Sequence, residues 1–371
     1  MDALMLPLNW QRVRLGDIGK PCMCKRVMKH QTTRYGEIPF YKIGTFGNTA
    51  DAFISKKLFL EYKTKYSFPK KGDILISASG TIGRAVIYDG KPAYFQDSNI
   101  VWIDNDETLV KNDFLFYAYS NVKWDTEHTT ILRLYNDNFR NTLIPLPPLN
   151  EQIAIANILS DVDRYLYNLD ALILKKESVK KALSFELLSQ RKRLKGFNQN
   201  WQRVRLGDIA NYLTSNLSAE QITQQGKIKV YDVNNFIGYT NTTFISDKPY
   251  ISIVKDGSVG RVRILPPKTN ILSTMGALIA NHKTTTEFLF YLLSNFDFKN
   301  FTSGSIIPHI YFKDYKEKTI FLPPLNEQIA IANVLSGLDS EITSLKNKKR
   351  QFDNIKKALN HDLMSAKIRV L

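Results

Sequence analysis

Leu146-Pro-Pro-Leu-Asn-Glu-Gln-Ile-Ala-Ile-Ala-Asn157 returns letter for letter as Leu322 to Asn333. Each copy reads as the start of a long helix. Asn150 and Asn326 are strong N-cap residues. Glu151 and Glu327 put an acid in the first turn, where the helix dipole favours it. The prolines stand just upstream, where they stiffen the approach without breaking a helix. Downstream, Ile155, Leu159, Val162, Leu166, Leu169 and Ile173 step by fours and threes. The second copy answers with Ile331, Leu335, Leu338, Ile342 and Leu345, then Phe352. Such steps make a coiled-coil seam. Gly337 is the only Gly or Pro in the body of either stretch. The first helix is expected from Glu151 to about Lys195, a length of about 65 Å. Arg191-Lys-Arg-Leu-Lys195 would form its basic last turn, with Gly196 as the C′ glycine.

An apolar stripe often serves the core of its own domain. Two equivalent seams in one chain favour a second arrangement, in which the helices pack on each other. That pairing is antiparallel if a two-fold relates the halves. The seams are not identical, because Lys176 stands where the second copy has Phe352, and Lys349 where the first has Ile173.

Shorter echoes extend the repeat. Trp10-Gln-Arg-Val-Arg-Leu-Gly-Asp-Ile18 recurs unchanged as Trp201 to Ile209. Gly80-Thr-Ile-Gly-Arg84 answers Gly257-Ser-Val-Gly-Arg261, Phe114-Leu-Phe-Tyr117 answers Phe288-Leu-Phe-Tyr291, and Lys180-Lys-Ala-Leu183 answers Lys356-Lys-Ala-Leu359. Two copies are too few for a solenoid and imply a pseudo-two-fold molecule. Neutral drift after a duplication would act everywhere. Here the helical blocks stayed alike while the blocks between them diverged, so the two kinds of block do different work. The organisation is a first domain over 1–146, a first helix segment over 147–196, a second domain over 197–322 and a second helix segment over 323–371.

The diverged blocks read as mixed, strand-rich domains, which makes the fold class α+β. Asp73-Ile-Leu-Ile-Ser77 runs through the Gly-x-x-Gly-Arg turn into Ala85-Val-Ile-Tyr88, and Ile251-Ser-Ile-Val254 runs likewise into Val262-Arg-Ile-Leu265. That is the grammar of a hairpin. Gly80, Thr81, Gly83 and Arg84, with Gly257, Ser258, Gly260 and Arg261, form either a plain turn or a place where backbone meets a ligand and the arginine reaches phosphate or base. Basic and aromatic residues cluster at Lys25, Arg26, Lys29, His30, Arg34, Tyr41 and Lys42, and at Lys227, Lys229 and Tyr231. Arg and Lys, like the amides of Asn and Gln, make the base-edge contacts that read sequence, although most such side chains contact phosphate or water.

The chain has 371 residues and a formal net charge of +16. That charge speaks of partners, and a phosphate backbone is the natural one, since Lys and Arg gain affinity by displacing condensed counterions. No run approaches the roughly 18 apolar residues of a membrane helix, so no membrane partner is expected. Met1 to Trp10 lacks the basic region and cleavage site of a signal peptide. Cys22 and Cys24 are the only cysteines and sit too close for a structural disulfide, which suits a reducing cytoplasm. The five histidines show no metal spacing, and no P-loop is present. The Pro-Pro pairs lack the flanks of a methyltransferase tetrapeptide. Asp314-Tyr-Lys316 is like the tail of a nuclease motif, but its counterpart Asn138-Phe-Arg140 lacks the acid. No catalytic residue and no metal site is assigned.

These motifs together resemble the specificity subunits of type I restriction–modification systems. The Trp-x-x-Val-x-Leu-Gly-Asp-Ile openings, the Gly-x-x-Gly-Arg turns and the Pro-Pro-Leu-x-Glu-Gln helix starts carry the likeness, which covers essentially the whole chain. The resemblance implies two target recognition domains, each reading one half of a split double-stranded DNA site. It implies two helices packed antiparallel as a spacer that docks two methylation subunits, joined by restriction subunits. S-adenosylmethionine would be held by the methylation subunits, with no cofactor in this chain. The rival reading is a basic coiled-coil scaffold that touches DNA without specificity. It explains the helices and the charge but not the paired, diverged blocks.

Overall fold

The two ends of each diverged block pair with one another. Gln11–Arg14 runs antiparallel to Leu143–Leu146 with Gln11 opposite Leu146, and Gln202–Arg205 pairs in the same register with Thr319–Leu322. Each block is thereby closed just before its long helix begins. The computed structural model describes residues 7–128 and 132–370. It falls into two units, Met1–Leu169 with Lys348–Leu371, and Asp170–Asn347.

In the first unit a four-stranded antiparallel sheet has the order Gly19–Met23, Ile100–Asn105, Ile74–Ser77, Ala85–Ile87. Its side chains feed two cores with the period of two that a strand imposes. Ile74, Ile76, Val101 and Ile103 face a core with Trp10, Leu15, Phe114 and Leu115. Leu75, Ile100 and Trp102 face another, with Ile38, Phe40 and Tyr94. A smaller sheet sets Ile38–Tyr41 between Phe53–Ile54 and, in parallel, Tyr94–Phe95. The second unit repeats both sheets: Ala210–Thr214, Met275–Ala280, Tyr250–Val254 and Val262–Leu265 in one, Phe236–Thr240, Ile228–Tyr231 and Asn270–Ile271 in the other. The hairpins expected around both Gly-x-x-Gly-Arg turns are present. The helix Lys56–Lys65, capped by the Ser55 hydroxyl, has no counterpart among the described residues of the second unit.

The long helices span Leu149–Leu188 and Leu325–Met364, 40 residues each. At 1.5 Å per residue that is about 60 Å. Both begin two residues earlier than the Asn caps predict. The Pro148 carbonyl accepts from the Glu151 and Gln152 amides, which places Asn150 inside the first turn. The first helix also ends before the basic run. Gln190, with φ at 62°, turns the chain out of the helix, and Arg191 to Lys195 lie beyond it, so Gly196 is not its C′ residue. Beyond the helix end Arg193 reaches Glu327, as described below.

Within each unit the helix segments run antiparallel. In the first, Lys356 pairs with Asp163 while Tyr165 packs on Phe352 with ring centroids 4.6 Å apart, so one number rises as the other falls. In the second, Lys176 meets Glu341 at 2.8 Å and Lys180 meets Asp339. Lys176 thus sits at the seam as half of an ion pair, and Lys349 is half-buried. The seam residues divide their work. Ile155 and Leu159 join the first domain core with Leu363 and Met364 of the other helix, and Ile331 and Leu335 join the second domain core with Leu187. Leu166, Leu169, Ile173 and Ile342 are buried further along, and Val162, Leu338, Leu345 and Phe352 are half-buried.

The repeated motifs hold one another. Glu151, 2% exposed, accepts from the Trp10 indole at 3.0 Å and from Arg369 at 2.7 and 3.0 Å. Glu327, wholly buried, accepts from Trp201 at 3.0 Å and from Arg193 at 3.0 and 2.6 Å. Gln152 bridges the Leu109 and Pro147 carbonyls to the Lys111 amide, and Gln328 does the same with Lys283, Pro323 and Thr285. A third junction joins Tyr117, Asp163 and Lys356, repeated as Tyr291, Asp339 and Lys180. Burial, reinforced by the adjacent carboxylate, holds both phenols well above their ordinary range. The buried acids are therefore part of the architecture, because a buried carboxylate is tolerated only when paired and hydrogen-bonded.

Candidate nucleic-acid interface

In the first domain the chain leaves Tyr94–Phe95 and turns through Gln96-Asp-Ser-Asn99 before entering Ile100–Asn105. Ser98 has φ at 53°, the left-handed region, which costs a non-glycine residue roughly 1–2 kcal/mol. The turn forms one wall of an open cleft lined by Arg26, Lys29, Lys42, Gln96, Asn99 and Arg133, among others. Arg133 arrives from Leu132–Arg133, which bridges back to Ser79. The Asp97 carboxylate in this wall is taken by Arg26 at 2.8 Å, and Lys42 is held by Asp51 at 2.8 Å. Three of the sequence candidates thus come together with three residues that the sequence reading did not name: Gln96, Asn99 and Arg133.

The other candidates lie elsewhere. Lys25 is exposed, with its ammonium 5.1 Å from the Tyr66 ring, and Arg34 is exposed on the surface. Tyr41 stacks on Phe95 at 5.8 Å and is part of the scaffold. In both Gly-x-x-Gly-Arg turns the glycines have positive φ, as these tight turns require. A Cβ on Gly83 would fall 2.0 Å from the Trp124 indole nitrogen, and one on Gly260 would fall 2.6 Å from the Phe298 ring. The second glycine of each turn therefore lets an aromatic side chain close the hairpin. Gly257 opens to free space, Gly80 has only Ile43 nearby at 3.8 Å, and Thr81, Ser258, Arg84 and Arg261 are exposed. In the second domain Lys227 is exposed, Lys229 lies over Phe236 at 6.0 Å, and Tyr231 carries the Arg263 guanidinium at 5.3 Å.

Matching strand for strand shows what the second domain puts where the first has its cleft. Tyr41 and Tyr231 end equivalent strands, so Lys42 corresponds to Asp232. The short helical turns Lys29–Gln31 and Ala219–Gln221 match, so Lys29 corresponds to Ala219. Gln96 follows Phe95 as Leu272 follows Ile271, and Asn99 precedes Ile100 as Thr274 precedes Met275. The Ser79–Arg133 bridge corresponds to the Asp256–His309 bridge, and there the imidazole is tied to the aspartate at 2.7 Å. A groove in the second domain is lined by Asn216, Gln221, Thr242, Phe244 and Asn270, with no charged residue among its lining.

Among the described residues no group of His, Cys, Asp and Glu is placed to hold a metal ion, and no helix is long and apolar enough to cross a membrane. Both cysteines are free thiols, and burial pushes Cys24 up to about 12.

Comparison with known proteins agrees with this architecture. The family model described as the type I restriction modification DNA specificity domain matches twice, over residues 7–176 and 198–352. A protein of Methanocaldococcus jannaschii named as a type I restriction enzyme specificity subunit is 30% identical over 335 residues, covering 81% of this chain and 79% of that protein. One of Haemophilus influenzae with a similar name is 64% identical over 148 residues, a match spanning 40% of this chain and only 38% of that relative. The crystal structure of a type I restriction–modification S subunit from M. genitalium superposes with a TM-score of 0.64 at 20% identity, covering 98% of each chain.

Proposed function

The chain belongs to the type I restriction–modification DNA specificity family, and from that premise we propose that it reads a bipartite site in double-stranded DNA, one half by each strand-rich domain. It is the non-catalytic, recognition component of such a system. The observation that carries the bipartite reading is a contrast. Every long repeated motif is engaged in holding a domain to its helices, whereas the positions that line the first domain's cleft are filled by unlike side chains in the second. Two copies of one scaffold with two different chemistries suit a reader of two different half-sites.

The helix starts support a docking role. Leu149, Ile153 and Ile158 are exposed, and so are their counterparts Leu325, Ile329 and Val334. Apolar residues repeated and left in solvent on both near-identical segments suit two equivalent partners. We assign those partners as two methylation subunits, which would supply the S-adenosylmethionine and the transfer chemistry, with restriction subunits joining to cut. The work would take place in the cytoplasm, where such a system meets DNA.

The test is selection of bound duplexes from a random pool, using the chain co-expressed with a methylation subunit at a stated salt concentration. The expected result is two short defined sequences around an unspecified gap of fixed length. Recovery of random DNA, with a steep salt slope and no motif, would leave only the electrostatic term and favour the scaffold.

A further inference from the structure

Donors and acceptors are distributed unevenly in the cleft of the first domain. The Gln96 Oε1 accepts from the Ile43 backbone amide at 2.9 Å. A backbone N–H can only donate, so this bond fixes which way round the amide sits, and the Nε2 group is left to donate. Nε2 has no partner among the described residues. The Asn99 Oδ1 accepts from the Ser79 hydroxyl at 2.8 Å, which leaves its Nδ2 as a second donor. Arg133 lines the same cleft, half-buried, with no side-chain partner among the described residues. The one carboxylate in the same wall, Asp97, is charge-paired with Arg26 through Oδ2. The Arg133 guanidinium and the two amide N–H₂ groups are thus left to donate, with no side-chain partner among the described residues.

We propose that this cleft reads a guanine in the major groove, with Arg133 donating to its N7 and Gln96 to its O6. The proposal rests on the reading of the chain as a bipartite DNA reader and deepens it for one half-site. Guanine is the one base that presents two adjacent acceptors in the major groove. Adenine pairs an acceptor with a donor, thymine offers a single acceptor beside a methyl, and cytosine offers a donor. Phosphate oxygens share the acceptor chemistry. The two domains argue against phosphate, since every sequence has the same backbone and a phosphate contact serves both half-sites equally. The residues at issue are those the second domain replaces: Gln96 by Leu272, and Arg133 by a histidine held by Asp256. The donor set that varies between domains is the set that should carry sequence.

The test uses the complex with its methylation subunit. Once its motif is known, each guanine is replaced singly by 7-deazaguanine, which pairs normally but lacks the N7 acceptor. At one guanine of one half-site, wild-type binding should fall by about 10- to 150-fold, the range of one hydrogen bond from a charged donor. Arg133→Ala should bind the normal site more weakly and become indifferent to the replacement. Gln96→Glu, which exchanges a donor for an acceptor, should lower the preference for guanine at that position. The other half-site, still selected by both variants, reports that the protein is folded. Uniform weakening across all sequences, with no position sensitive to 7-deazaguanine, would assign Arg133 to phosphate and overturn the proposal while leaving the bipartite reading intact. A wild-type complex that selects no motif would overturn the underlying reading itself.

Discussion

The two strand-rich domains have the same sheets, the same closing strand pair and the same buried acid at the helix start, yet five positions that line the first domain's cleft are filled differently in the second. The first carries Lys29, Lys42, Gln96, Asn99 and Arg133, and the second carries Ala219, Asp232, Leu272, Thr274 and a His309 already tied to Asp256. The difference teaches where each kind of residue is constrained. Positions that bridge a domain and its helices have partners inside the chain that hold them fixed. In the first cleft, Gln96, Asn99 and Arg133 keep donors that have no partner among the described residues.

The largest effect should come from breaking what the halves share. Glu151→Ala and Glu327→Ala each strip a buried carboxylate from an indole and a guanidinium. Removing one partner of a buried pair costs about 3–5 kcal/mol. Denaturant unfolding should show losses of that size for both variants. A full loss for one and a loss under about 1 kcal/mol for the other would break the claim that the two junctions are equivalent.

The junctions also show what was legible in the sequence. The helices were, because their apolar steps continue for many turns and occur twice. Their antiparallel pairing followed from the repeat. The Trp–Glu–Arg junction was not read, because Trp10 and Glu151 stand 141 residues apart and only the fold joins them. The signal was there in principle, since the tryptophan and the glutamate are retained together in both copies. Of the cleft, Arg26, Lys29 and Lys42 were legible as a basic stretch. Gln96, Asn99 and Arg133 were not, because the parallel pairing of Ile38–Tyr41 with Tyr94–Phe95 and the bridge to Ser79 bring them in from distant segments. The Gly-x-x-Gly-Arg turns misled in one respect: Trp124 and Phe298 account for the second glycine of each, and neither aromatic is adjacent in sequence.

A smaller effect should separate the clefts. If Lys29 sits over the DNA backbone, Lys29→Ala lowers the slope of log affinity against log salt by about 0.9 and leaves the selected motif unchanged. The reciprocal change, Ala219→Lys, should raise the slope by a similar amount through the second domain. Unchanged slopes in both variants would mean that the charge contrast between the clefts has no part in binding.

The smallest effect is at the helix seam, where the halves differ by a matched exchange. Tyr165 and Glu341 occupy equivalent positions, as do Phe352 and Lys176. The first unit therefore has an aromatic contact where the second has an ion pair. Both members changed together, so each contact stayed complementary. Were either helix to pair antiparallel with a second copy of itself, Tyr165 would face Lys176, or Glu341 would face Phe352, and the ion pair would be lost. The exchange thus favours pairing of unlike helices, the role that polar seam residues play in coiled coils. Double-mutant cycles measure it directly. The Tyr165–Phe352 coupling should be about 0.5–1.5 kcal/mol beyond area burial and indifferent to salt. The Lys176–Glu341 coupling should be about 0.2–1 kcal/mol and fade as salt rises, because both side chains are partly exposed. Equal couplings with the same salt response would mean that the exchange is neutral and selects no partner.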